Sequence, residues 1–199
     1  MLHRDIKPHN FLLGGDGRLV LADLGQARLH SALPVARVGR GYSHAVATRW
    51  YRAPELLYGA RDYGAGVDVW ALGCVLAELL DCGGALFPGA GDIDQLGCVA
   101  ALRGPLTPQQ WQGCVALPDY GKIGIAADER LLDPAARRGA LAAALPSASP
   151  AALALLDAML AYDPIARPAA ADVLRHEWIT QAPTPAAPPL IAERLGLRD

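Results

Sequence analysis

His3-Arg4-Asp5-Ile6-Lys7-Pro8-His9-Asn10 opens the chain, and its reading decides the fold. Within eight residues it holds two cations, a carboxylate and an amide. Pro8 fixes its own φ and pushes Lys7 out of the helical region, so the stretch is a loop of set shape. Held in one rigid turn, the Asp5 carboxylate, the Lys7 ammonium and the Asn10 amide can take a proton, hold a phosphate and ligate a hard cation. The spacing is H-R-D-x-x-x-x-N.

Working outward, Phe11-Leu12-Leu13 is a short apolar run, Gly14-Gly15-Asp16-Gly17 a turn, and Arg18 to Ala22 a second strand. Two short strands about an Asp-Gly turn read as a β-hairpin. The hairpin delivers Asp23-Leu24-Gly25 to the far side of the opening loop. Residues 26–52 carry no clean period and include Pro34, Gly39 and Gly41. A loop of that length in a compact domain is usually functional. It ends at Ala53-Pro54-Glu55.

Composition limits the function classes. The chain has 199 residues, 52% hydrophobic and 19% charged, which excludes a disordered protein and gives one domain's worth of core. A formal net charge of -2 gives no reason to expect nucleic acid or an anionic membrane as partner. The 4 Cys, at 74, 82, 98 and 114, form no Cys-x-x-Cys pair, so free thiols in a reducing compartment are expected. No uncharged apolar run approaches the ~18 residues of a membrane span, and no signal-peptide pattern is present.

The remaining elements follow from periodicity. Val67 to Leu80 is apolar on almost every side, which predicts a buried helix. A second helix is expected from Asp92 to Leu102, and residues 103–148 read as irregular. Pro150 to Tyr162 carries Leu153, Leu156, Met159 and Leu160 at helical spacing, with Ser149 as N-cap. A last helix is expected from Ala169 to about His176. The prolines from Thr180 to Pro189 predict an extended tail.

In this order and spacing, the H-R-D-x-x-x-x-N of residues 3–10, Asp23-Leu24-Gly25 and Ala53-Pro54-Glu55 resemble the catalytic loop, metal-binding tripeptide and activation-segment end of protein kinases. The run from Thr48 to Leu57 is similar to the cyclin-dependent kinases. Leu86-Phe87-Pro88-Gly89, Asp92 to Leu96 and Leu117 to Ile123 narrow the resemblance to the cell-cycle-related kinase branch, with the CDK-activating kinases as the alternative. The fold implied is mainly α, a kinase C-terminal lobe with a small hairpin carrying the catalytic and metal loops. Residues 1–179 would form that partial domain, and 180–199 a proline-rich tail.

The resemblance implies a Ser/Thr kinase that uses ATP and Mg²⁺. Asp5 would accept the substrate hydroxyl proton, Lys7 would neutralise the transferring phosphate, and Asn10 and Asp23 would ligate magnesium. Leu12 would floor the adenine pocket. Ser43 would be a regulatory phosphorylation site clamped by Arg4 and Arg28. Arg52, with Ala47 and Thr48, would set a preference for proline after the phosphorylated residue. Glu55 and Arg167 would pair in the interior. Asp68 would tether the loop backbone, although a helix-start carboxylate reads equally well there.

Implied partners are protein substrates and a cyclin-type subunit, with neither nucleic acid nor membrane, in cytoplasm or nucleus. Leu24 stands where the family has Phe, which would loosen packing without removing the metal ligand. The Gly-rich loop, the strand lysine and the helix glutamate that grip ATP in this family have no counterpart in the 199 residues. The chain as written is therefore expected to bind Mg-ATP weakly, and the helix from Val67 to be open on one side. The rival reading is a non-catalytic binding module.

Overall fold

A computed structural model describes residues 1–29, 42–43, 46–81 and 83–181. The proline-rich segment after Gln181, Cys82 and most of the 30–45 loop lie outside the described residues. Strands β1 (Phe11–Leu13) and β2 (Leu19–Leu21) form an antiparallel hairpin, pairing Phe11 with Leu21 and Leu13 with Leu19. Gly17 closes its turn at φ 76, a left-handed conformation that glycine adopts without strain.

Seven helices follow among the described residues: α1 (Pro54–Leu57), α2 (Gly66–Leu80), α3 (Asp92–Arg103), α4 (Pro134–Ala144), α5 (Pro150–Met159), α6 (Ala170–Val173) and α7 (Glu177–Thr180). The expected hairpin and the helices from 66, 92 and 150 are present. Two expectations are corrected. Residues 103–148 are not uniformly irregular, because Asp133 caps α4 by accepting from the Ala136 amide, with Pro134 at the first helical position. The last helix is also two short ones. His176 turns extended and its ring Nδ1 accepts from the Trp178 amide, which ends one helical stretch and starts the next.

α2 is the central post. Trp70 is fully buried and stacks on Phe87 with ring centroids 5.8 Å apart. Gly73 lets α5 approach closely, since a Cβ there would lie 3.1 Å from Leu160 and 3.2 Å from Met159. Leu155, Leu156 and Met159 of α5 are fully buried against α2 and α4. The other side of α2 is uncovered. Leu79 is 72% exposed, and Leu72, Leu76, Met159, Trp178 and Leu19 wall an apolar groove of about 320 Å³ that runs under the hairpin. Phe11 and Leu19 carry this apolar surface onto one face of the hairpin, while Leu12 and Val20, paired across the strands, are on its opposite face.

Among the described residues no helix is long and apolar enough to cross a membrane. Cys74, Cys98 and Cys114 carry free thiols.

Candidate active site

The opening loop is fixed from three sides. Leu2 and Arg28 exchange backbone hydrogen bonds of 2.8 and 2.9 Å, tying the loop's start to the segment after the hairpin. The Asp68 carboxylate, in the first turn of α2, accepts from the His3 amide and the Arg4 amide, both at 2.8 Å. These two bonds offset the cost of holding Arg4 at φ 69, where a side chain is strained. His3 lies 3.0 Å from the Ala22 carbonyl through Nε2, which joins the loop to the residue before Asp23. Ahead of Pro8, Lys7 is extended at φ −162 and ψ 160, as its proline neighbour dictates.

Asp5 is the centre of the polar cluster and is buried. Its Oδ1 accepts from the Thr48 amide at 2.9 Å and the Thr48 hydroxyl at 3.0 Å. Its Oδ2 accepts from Lys7 Nζ at 2.8 Å and, more weakly, from Asn10 Nδ2 at 3.5 Å. Lys7 Nζ also donates to Thr48 Oγ1 at 3.0 Å. Burial pushes the Asp5 carboxyl up, but the bonds from Lys7 and Thr48 outweigh it and hold the group below the ordinary carboxylate value. Asp5 is thus an ionised carboxylate held in a fixed orientation.

Asn10 is buried and donates through Nδ2 to the Asp5 carbonyl at 2.7 Å, which turns its Oδ1 away from that carbonyl. Asp23 follows β2 at the same open end of the hairpin, exposed, in the left-handed region at φ 62, with Oδ1 accepting from the Gly25 amide at 3.2 Å. The Ala22 amide donates to the Asn10 carbonyl at 2.8 Å, so the two residues are tied through one backbone bond. Among the described residues nothing donates to Asn10 Oδ1 or Asp23 Oδ2. Two hard oxygens at one hairpin end suit Mg²⁺, which takes few protein ligands and completes its shell with water and phosphate oxygens. No group of three or more His, Cys, Asp or Glu able to hold a metal occurs among the described residues. Leu12 lies on β1 and is 55% exposed.

The segment facing Asp5 is held by Arg52. Its Nε donates to the Val46 carbonyl at 2.9 Å and its Nη2 to the Ala47 carbonyl at 3.0 Å. Ala47 sits at φ 66. Asp92, expected only as a helix start and part of the family resemblance, neutralises Arg52 at 3.2 Å and Arg49 at 3.0 Å from the start of α3.

Ser43 is exposed, and its carbonyl accepts from the Tyr63 hydroxyl at 2.6 Å. Arg4 donates through Nε to the Gln26 carbonyl at 2.7 Å and through Nη1 to Tyr63 Oη at 3.0 Å. Arg28 is exposed and donates to the Ala27 carbonyl. At the far end, Glu55 and Arg167 pair at 2.7 and 2.8 Å.

The family described as protein kinase domain matches residues 1–179. Cyclin-dependent kinase 20 of Mus musculus is 48% identical over 188 residues, covering 94% of this chain and 51% of that protein. Its Homo sapiens counterpart is 46% identical over 198 residues, covering 98% and 54%. Cyclin-dependent kinase D-1 of Arabidopsis thaliana is 43% identical over 188 residues, covering 94% and 43%. The chain therefore spans about half the length of the curated relatives it matches. A solved structure of the CAK complex from Chaetomium thermophilum bound to ATP-γ-S superposes with a TM-score of 0.79 at 34% identity, covering 94% of this chain and 55% of that one.

Proposed function

The chain belongs to the protein kinase domain family, and on that premise we propose that it carries the phosphate-transferring part of a Ser/Thr kinase of the cyclin-dependent group. The observation that carries the reading is the Asp5 cluster, in which one buried carboxylate is held by Lys7, Thr48 and Asn10 at once. Mg-ATP, when bound, supplies the γ-phosphoryl group and the metal's charge neutralisation. Asp5 takes the proton of a substrate Ser or Thr hydroxyl and aligns its oxygen. Thr48 and Lys7 fix the carboxylate's orientation, and Lys7 faces the charge that builds on the transferring group. Asn10 and Asp23 are the residues that would ligate the metal.

The Ala47 carbonyl is already engaged by Arg52. A backbone N–H of the substrate next to the reacting residue then has no acceptor there, and proline, which lacks that N–H, fits without loss. This supports a proline-directed substrate class. A cyclin-type subunit as partner is proposed from the relatives. The apolar groove under the hairpin favours one further reading, a binding module that docks a protein without transferring phosphate.

A chimera decides between them. Residues 1–179 would replace the matching part of mouse cyclin-dependent kinase 20, and transfer of radiolabelled phosphate to a Ser-Pro peptide would be measured. Transfer by the chimera, reduced by several orders of magnitude in Asp5→Asn with KM for ATP unchanged, is expected. A folded, ATP-binding chimera that transfers nothing would leave the binding module standing.

A further inference from the structure

Arg4 and Asp5 are neighbours, yet they hold different points of the same segment. Asp5 holds Thr48 directly. Arg4 reaches Ser43 only through Tyr63. The Tyr63 hydroxyl accepts from Arg4 Nη1 at 3.0 Å and uses its single proton on the Ser43 carbonyl at 2.6 Å. The Tyr42 ring lies 5.6 Å from the Arg4 guanidinium and 5.2 Å from the Tyr63 ring, so the cation is also covered by an aromatic face. The Tyr42 amide donates to the Arg61 carbonyl at 2.8 Å, which ties the same residue to the chain just before Tyr63. Burial pushes the Tyr63 phenol up against the opposing pull of Arg4, so the hydroxyl keeps the proton it donates.

We propose that Tyr63 is a positioning residue of the phosphotransfer site: its neutral hydroxyl pins Ser43 to Arg4 and so delivers residues 46–48 to Asp5 with no phosphate on Ser43. The role rests on the kinase reading above. It goes beyond that reading by assigning to a tyrosine the tether that the sequence alone assigns to a phosphorylated Ser43.

Hydrogen–deuterium exchange on the phosphatase-treated 199-residue chain tests the tether without requiring phosphate transfer. Tyr63→Phe keeps the ring and removes the hydroxyl. It should raise exchange of the 46–53 peptide about tenfold, through loss of the two hydrogen bonds of the hydroxyl, one of them from a charged group. The peptide covering 150–159 in α5 should not change. Ser43→Ala keeps the carbonyl and should match wild type. If Tyr63→Phe also loosens α5, Arg4→Lys takes its place, since it keeps the charge and removes the Nη1 donor. In the chimera, Tyr63→Phe should lower kcat about tenfold with KM for ATP unchanged, which a packing role would not do. Wild-type exchange at 46–53 in both variants overturns the tether, as does a phosphatase-treated wild type already unprotected there. Intact exchange differences beside a chimera that transfers nothing would instead overturn the kinase reading, so the two failures are distinct.

Discussion

Arg167 meets Glu55 as a two-pronged pair in the interior, 2.7 and 2.8 Å long, with both side chains essentially excluded from water. The same guanidinium donates to the carbonyls of Ala161, Gly66 and Tyr162 and lies 5.1 Å from the centre of the Trp70 ring. One side chain therefore joins α1 to the start of α2 and the turn after α5. Removing one partner strands the other charge. Arg167→Ala should cost about 3–5 kcal/mol in urea unfolding. Arg167→Lys should also destabilise clearly, because an ammonium cannot fork across both carboxylate oxygens. A lysine variant as stable as wild type would show that charge alone, without the planar geometry, holds this joint.

Asp5 gives a pH signature. Its carboxyl is held below its ordinary value of 3.8 in the folded chain. The stabilisation from Lys7 and Thr48 is then fully present above the unfolded-state pKa and is lost as pH falls through the folded one. Thermal midpoints measured from about pH 6 to pH 3 should fall more steeply for wild type than for Asp5→Asn, with the difference opening only below about pH 4. Parallel curves would mean that the carboxylate contributes nothing to folding.

Much of this was legible in the sequence because it is local. Pro8 sets Lys7, the Gly14–Gly17 turn sets the hairpin, and the apolar run from Val67 sets α2. The Asp68 tether shows the limit: the residue was singled out, but only the fold brings it to the His3 and Arg4 amides, 65 and 64 residues away in sequence. The sequence places Thr48 with the substrate-recognition residues, and the fold adds that its amide and hydroxyl both engage Asp5. Asp92 opens a helix and a stretch that carries the family resemblance, and Tyr63 precedes a Gly near it, but neither position foretells its partners, Arg49 and Arg52 for one and Arg4 and Ser43 for the other. α4 did carry a signal: Asp133-Pro134 is a cap and first-turn pair. The signal is weak because Leu141 is the sole buried residue of that Ala- and Arg-rich helix, which leaves no apolar period.

Magnesium should bind weakly on its own. Asn10 and Asp23 offer one hard oxygen each, while the ion prefers six and gives up water reluctantly. Titration of the 199-residue chain with MgCl₂, followed by the NMR shifts of Asn10 and Asp23, should show no saturation below the millimolar range. Asp23→Asn should weaken it further, through loss of the single anionic ligand. Micromolar binding, or binding indifferent to Asp23→Asn, would place the metal elsewhere.

The open apolar surface should govern how the chain behaves in solution. Leu79 is 72% and Leu19 65% exposed, and between them runs the groove walled by Leu72, Leu76 and Met159. Phe11 joins the groove to one face of the hairpin, and soluble monomers rarely expose patches beyond a few hundred Å². The 199-residue chain should therefore enhance the fluorescence of an apolar dye and self-associate at micromolar concentration. Leu19→Thr with Leu79→Gln should reduce both while leaving stability within about 0.5 kcal/mol, since neither side chain is buried. Light scattering and dye binding on the two proteins check this together. A monodisperse wild type with no dye response would mean that the groove and the hairpin face are covered in solution.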